Sequence, residues 1–330
     1  MNLSLLWGGI NSLYYKWDGI FPHPNLLPAG EGAFKNIEIK TSQRFSMKTR
    51  HFSQLPKPYM AYPKVIQGLI FKKPKGEKVL PQVEYVVDSF NVDQKHLKAY
   101  NQVCGFKNNG YIPAIYLAVL SQSLQMHMMG QEPFPFPVLG LVHIRNQVKQ
   151  MRKVGVNETL TLSCKYGALE PHDKGVQFDF ITTVKVGNEV VVEALTTYLA
   201  RQKTDGKTAP KLIEATTPDY QPNAVWEVSE NTGRRYAMTS GDFNLIHIHA
   251  VTAKAFGFKQ AIAHGMWSKA RALASITLPD AYEADVWFKL PMYLPSTVDF
   301  MTATEGVNTA FLIRNGKNQK PHVTGQVKAL

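Results

Sequence analysis

The sequence predicts an α+β protein in which two successive antiparallel sheets are each wrapped around one central helix. Three observations lead there. The chain of 330 residues is 44% hydrophobic, enough to bury two cores. A strand, a loop, one long helix and about four strands occur in that order twice, with the helix starts roughly half a chain apart. Strands do not alternate with helices and no strand runs into a glycine-rich turn, which excludes a doubly wound nucleotide-binding sheet.

Residues 1–81 form an N-terminal wrapping segment. "MNLSLLWGGINSLYYKW" places Leu3, Leu6, Trp7, Ile10, Leu13, Tyr14 and Trp17 at helical spacing. Its polar face offers only Lys16, and neither a basic start nor a small-residue cleavage site is present. This helix is therefore expected to pack on the body of the protein rather than act as a secretory signal or an interfacial anchor. "FPHPNLLPAGEG" and "FKKPKGEK" mark turns and loops, and Lys72, Lys73, Lys75 and Lys78 read as a solvated loop. No run reaches the ~18 apolar residues of a membrane span. The final Lys-Ala-Leu does not match a peroxisomal Ser-Lys-Leu address.

Residues 82–201 form the first repeat. "QVEYVVDSF" is a β-branched strand, and "NGYIPAIYLAVLSQSLQMHMMG" holds a buried helix from near Pro113 to just before Gly130. "PVLGLVHIRNQVKQM", "ETLTLSCKYGALE", "GVQFDFITTVKV" and "EVVVEALTTYLAR" are strands, the last two joined by a hairpin at Gly187-Asn188. The polar, proline-containing residues 202–224 read as a linker. Residues 225–330 repeat the order: strand "VWEVSE", helix "GMWSKARALASI", then strands "ADVWFKL", "TVDFMTATEG", "TAFLIRNG" and "HVTGQVKAL".

The formal charge of +12 favours acidic partners. Nucleic acid is not expected, because no zinc-finger spacing, basic heptad or RNA-binding strand signature is present. Cys104 and Cys164 are the only cysteines, which suits a reducing cytoplasm and rules out a thiolate-rich metal site.

The chemistry concentrates in "YAMTSGDFNLIHIHAVTAKAFGFKQAIAHGMW", Tyr236 to Trp267, with Asp242, His247, His249 and His264. Asp242 and His247, five apart, would lie about 500° apart on a helix, so they can meet only around a turn, which "SGDFN" supplies. Asp242 or Asn244 is then expected to cap a helix over "HIHAVTAKAF", stopped at Gly257. His247 and His249 project roughly 200° apart, and no His-x3-His pair exists to place two ligands on one helix face, so no metal is expected. An acid/base pair asks for less: an imidazole that titrates near neutrality, and a carboxyl that partial burial shifts upward. Gly265, at the start of the second helix, offers an unpaired N–H and dipole to an oxyanion.

The run "YAMTSGDFNLIH…AFGF…IAHGM" resembles the hydratase-2 motif of the MaoC-like dehydratases, the family of (R)-specific enoyl-CoA hydratases. The resemblance is close over Tyr236 to Met266 and covers the rest of the second half by pattern. The first half, through "VCGFKNNGYIPAIY" and "PVLGLVHIRN", resembles the degenerate first repeat of single-chain double-hot-dog members. It implies a double hot dog with one site per chain, catalytic Asp242 and His247, and Gly265 as oxyanion donor. Ser240, Asn244 and His264 would support that site, His264 by shaping the pocket and Asn244 by holding the turn. Leu245 stands where the family usually has proline, which loosens the turn but removes no chemistry. His249 falls on a variable position. The first repeat would shape an acyl tunnel, with Phe106, Tyr111, Ile112, Tyr116 and Leu117 as walls, although each of these also suits a sheet-facing core.

The implied reaction is reversible hydration of a trans-2-enoyl thioester to the (R)-3-hydroxyacyl thioester, with no cofactor. Coenzyme A and acyl carrier protein thioesters both suit the basic charge, and a homodimer is left open. The competing readings are a hot-dog thioesterase and a non-catalytic acyl-thioester-binding protein.

Overall fold

The computed structural model describes residues 47–57, 78–130, 134–138, 140–203 and 218–330. The expected N-terminal helix, Lys72, Lys73, Lys75 and much of the linker lie outside them.

The first half contributes strands β2 (Val83–Phe90), β4 (Leu141–Gln150), β6 (Leu160–His172), β7 (Gly175–Val186) and β8 (Glu189–Arg201). The second contributes β9 (Gln221–Val228), β10 (Tyr282–Phe288), β11 (Ser296–Glu305), β12 (Asn308–Asn315) and β13 (Pro321–Ala329). Numbered within its own half, each set of five lies in the order first, third, fourth, fifth, second. The two expected sheets meet at their second strands: β4 pairs antiparallel with β10, from Tyr282 opposite Gln150 to Trp287 opposite Arg145. With β1 (Lys48–Phe52) added in parallel to β2, the result is one continuous eleven-stranded sheet. A two-stranded ribbon of β3 (Tyr111–Ile112) and β5 (Val154–Gly155) stands apart from it.

Period-2 alternation fixes most of these strands. Along β7 and β8, Phe178, Phe180, Thr182, Val184, Val192 and Ala194 turn inward. The hairpin between them is the expected Gly187-Asn188, with Gly187 at φ 57°, the positive φ that a two-residue loop needs. The strand after the linker starts earlier than the sequence predicts. Gln221–Ala224 already pair with β11, and Pro222 is tolerated because β9 is an edge strand.

Each half has its expected central helix, and shorter helices outside the one-per-half pattern precede it. α1 (Gln94–Cys104) precedes the long helix α2 (Ala114–Met129) in the first half. α3 (Thr232–Ser240) and the short α4 (Ala250–Ala255) precede α5 (Gly265–Ala274) in the second. α1 starts where the Asp93 side chain accepts from the N–H groups of Lys95 and His96, and ends at left-handed Gly105. α2 lies on β4, β6, β7 and β8, while α1 packs against α3 and α5. A single apolar core therefore runs through both halves, joining Tyr100 and Tyr116 to Tyr236 and Trp267. Buried this way on nearly all sides, α2 carries apolar residues on every face, with Ser121, Gln122, Ser123 and Gln125 set among them.

The seam between the halves is polar. Arg145 of β4 grips Asp285 of β10 with two hydrogen bonds of 2.8 and 2.7 Å. On the helix side of the sheet, Lys269 of α5 is fully buried. It donates to the carbonyls of Asn146 and Ala284 and to Asn146 Oδ1, at 2.8, 3.1 and 2.7 Å. Burial pushes its ammonium down to about 7. Among the described residues no helix is long and apolar enough to cross a membrane.

Candidate active site

α3 ends at Gly241, whose φ of 75° reverses the chain and delivers Asp242. The turn that follows is held by its own side chains. The Asp242 N–H donates to Ser240 Oγ at 3.2 Å, the Asn244 N–H to Asp242 Oδ1 at 3.1 Å, and the Ile246 N–H to Asn244 Oδ1 at 3.4 Å. Ser240 and Asn244 thus hold the turn, and Leu245 opens a 3-10 turn over Leu245–His247. No continuous helix spans "HIHAVTAKAF". The chain breaks after His247, and His249 Nδ1 accepts from the Val251 N–H to cap α4. Asp242 therefore organises a turn rather than capping a helix, and His249 has a structural task of its own.

The break is what aims His247. Its Nδ1–H donates to the Ile262 carbonyl at 2.8 Å, which leaves the Nε2 lone pair free to accept a proton. Ile262 is fixed in turn, because its N–H donates to the Ile246 carbonyl at 3.1 Å. α3 comes close enough that a side chain on Gly233 would overlap the His247 carbonyl.

His264, the residue before α5, is more deeply involved than a pocket wall. Its ring stacks on His247 with centroids 3.7 Å apart, and its Nε2–H donates to the Asp242 carbonyl at 3.0 Å. It lies 3.9 Å from Asp242 Oδ2, and burial lowers its basicity to about 3, so it stays neutral. Sequence spacing argues against convergence of these three groups, yet tertiary folding brings ligand-type atoms of Asp242, His247 and His264 within 4.8 Å of one another. Two of the ring nitrogens, His247 Nδ1 and His264 Nε2, are spent on carbonyls, which leaves one nitrogen on each ring.

The expected upward shift of Asp242 is corrected. Burial does push its carboxyl up, but His264, His247, a Gln122 amide and the Asn244 N–H outweigh burial and hold it below the usual carboxylate range. Its side chain keeps 21% of its surface exposed, so the ionised group stays in contact with solvent. Burial lowers His247 as well, against the opposing pull of Asp242 and the Ile262 carbonyl. The resting pair is a carboxylate and a neutral imidazole.

Gly265 is the first residue of α5, where an N–H has no intrahelical acceptor. A Cβ there would come within 2.8 Å of the Phe288 ring. Glycine lets the helix start close under Phe288, which itself packs on His143 of β4 at 4.8 Å. α5 is held in place by Lys269 and by Trp267, whose ring N–H donates to the Val103 carbonyl of α1 at 3.2 Å.

Among the expected tunnel residues, Ile112, Tyr116 and Leu117 are buried in the core around α2, and Phe106 stacks on Tyr100. Tyr116 bonds His96 Nδ1 through its hydroxyl at 2.7 Å. Tyr111 is 44% exposed with Lys153 over its ring, which removes it from an interior wall. The first-half residue that does reach the pair is Gln122, whose Nε2 donates to Asp242 Oδ2 at 3.0 Å. Sequence reasoning missed it; the only available signal was the polar run Ser121, Gln122, Ser123 and Gln125 inside an otherwise apolar helix.

The chain is similar to known proteins in sequence and in fold. Residues 213–326 match a family model described as a MaoC like domain. The 3-hydroxyacyl-thioester dehydratase X of Mycobacterium tuberculosis is 32% identical over 254 residues, 76% of this chain and 91% of that protein. A crystal structure of HtdX from Mycobacterium tuberculosis, 31% identical, superposes with a TM-score of 0.66 over 75% of this chain and 100% of that one. A MaoC-like dehydratase from Phytophthora capsici, 21% identical with a TM-score of 0.57 over 75% of this chain and 95% of that one, shares the fold.

Proposed function

The chain belongs to the MaoC-like dehydratase family, and from that membership we propose that Asp242, His247 and Gly265 carry out reversible hydration of a trans-2-enoyl thioester to the (R)-3-hydroxyacyl thioester. The protein is a hydro-lyase of acyl thioesters, with coenzyme A or acyl carrier protein as the thiol. The observation that supports the assignment of residues is an ionised Asp242 beside a His247 whose Nε2 is free, with the first N–H of α5 directly following His264, whose ring stacks on His247.

In the dehydration direction His247 Nε2 takes the proton from C2. The thioester oxygen, as it gains charge, accepts from the Gly265 N–H at the positive end of α5. The C2–C3 double bond forms as the C3–O bond breaks. Asp242 rests ionised, so it steadies the imidazolium and orients the hydroxyl, and the proton that leaves with the water is the one His247 collected. Hydration runs the same steps backwards. Two buried free thiols, Cys104 and Cys164, support a reducing, cytoplasmic setting for the same reading.

The test is to incubate the protein with a trans-2-enoyl-CoA, following loss of the conjugated absorbance and the configuration of the product. The (R)-3-hydroxyacyl thioester should form, and D242N should slow it by about 10²-fold or more. Release of free thiol in place of hydration, or a fully active D242N, would overturn the assignment.

A further inference from the structure

We propose that Gln122, on the central helix of the first half, is a positioning residue for the reaction carried by the second half, holding the Asp242 carboxylate through its side-chain amide. This rests on the assignment of Asp242 made above and extends it to a residue 120 positions away in sequence.

The Asp242 backbone and one carboxylate oxygen are fixed from within the second half. Its N–H is held by Ser240, its carbonyl by His264, and Oδ1 by the Asn244 N–H. Oδ2 is held from the other half, by Gln122 Nε2 at 3.0 Å. A carboxylate held at one oxygen can still rock about its broad terminal torsion, whereas one held at both cannot. The second bond therefore decides where Oδ2 points when a substrate hydroxyl or a water arrives.

A buried polar lattice holds the helix that carries Gln122. On the same helix Gln125 Nε2 donates to Ser121 Oγ at 3.2 Å and to Thr196 Oγ1 of β8 at 3.4 Å, while its Oε1 accepts from the Tyr198 hydroxyl at 3.2 Å. Thr182 of β7 donates to Ser121 Oγ at 2.9 Å. These bonds fix the rotation of α2 about its axis, which a purely apolar contact would leave loose. The lattice continues from Thr196 to Asn146 Nδ2 at 3.1 Å and from Asn146 Oδ1 to Lys269, so it ends on α5, the helix that offers the Gly265 N–H. Carboxylate and oxyanion donor are thereby tied to one frame. The duplication gives a control: Gln122 is the ninth residue of α2, and the ninth residue of α5 is Leu273, an apolar core residue. An amide at this position departs from the repeat at the place where it meets the partner half's carboxylate.

Groups facing Asp242 from every side are His247, His264, Tyr236 of α3, His143 of β4 and Tyr198 of β8, with Lys269 acting on His143 from behind. Within this set the amide of Gln122 helps keep the carboxyl low. Its removal should raise that value and move the acid limb of activity to higher pH.

The experiment measures kcat and KM for a trans-2-enoyl-CoA across pH in the full chain, for the wild type, Q122L, Q122E and D242N, with thermal unfolding of each. Q122L should lose roughly tenfold in kcat with KM nearly unchanged, and its acid limb should move to higher pH. Q122E keeps the shape and, while protonated, the donor; it should lose activity as rising pH ionises it beside Asp242, and it serves if Q122L folds poorly. Wild-type kcat and pH profile in Q122L, or equal losses at every pH in both variants, would overturn the proposal. D242N separates the failures: an inactive D242N beside an unaltered Q122L removes this inference alone, whereas an active D242N removes the assignment beneath it.

Discussion

The central helix begins with Ala114 in the first half and with Gly265 in the second, and the residue just before it is Pro113 in one and His264 in the other. Strand order is the same in the two halves, and each central helix lies in the chain between the first and second strands of its own half. The first is closed: Ala114 and Ile115 are fully buried, and Tyr116 spends its hydroxyl on His96. The second is open: glycine admits Phe288 closely, His264 ties the turn to the helix, and Asp242 keeps part of its surface in solvent. One fold thus serves two tasks. On the proposed assignment, side-chain volume at a helix start decides between core and site, and the first half reaches Asp242 through Gln122, with His143 and Tyr198 also facing it.

This contrast can be broken at several points. The largest expected effect is from Gly265→Ala, where the new methyl must displace Phe288 or shift the helix N–H. The loss in kcat should be about 10²–10³-fold with the fold retained, measured by enoyl-CoA kinetics and circular dichroism. Next is Lys269→Met, which leaves Asn146 and Ala284 oxygens buried without a donor. Chemical denaturation should read a loss of roughly 2–3 kcal/mol. The mirror-image change in the first half, Ala114→Gly, should leave turnover unaltered and lower stability by only about 1 kcal/mol. If it changed kcat as Gly265→Ala does, the division of labour would be wrong.

A smaller and gradual effect should come from pH. Burial lowers His264 to about 3 and His143 to about 4, whereas the unfolded imidazoles titrate near 6.5. Between those values the unfolded chain binds more protons, so stability rises with pH through that window. The contribution is complete above about 6.5 and is lost as pH falls towards 4 and 3. The melting temperature should therefore fall steadily from pH 7 to 4; a flat profile would mean these imidazoles already take up protons when folded.

The strands were legible because alternation with period 2 survives in a half-buried sheet, and a candidate site could be proposed because Asp242, His247 and Gly265 lie within one short run. α1 was missed although its pattern exists: Leu97, Tyr100, Asn101 and Cys104 face inward at helical spacing, but two of the four are not strong apolar markers. α3 was hidden by Gly233 in its first turn, which lowers helix propensity yet is needed for close approach to His247. The break between His247 and His249 also escaped, because a 3-10 turn and an α-helix share nearly the same local sequence preferences. Gln122 and the convergence of His264 with Asp242 depend on contacts between distant segments, which spacing along the chain does not encode. The ionised state of Asp242 follows from those same contacts and could not be read before them.

The central claim is that His247, freed at Nε2 by its bond to Ile262, moves the C2 proton. The most direct measurement is the rate of trans-2-enoyl-CoA hydration by His247→Ala against the wild type, with unfolding curves for both. A loss of about 10²–10⁴-fold in kcat at unchanged stability is expected. A variant that hydrates within a few-fold of the wild-type rate would contradict the account.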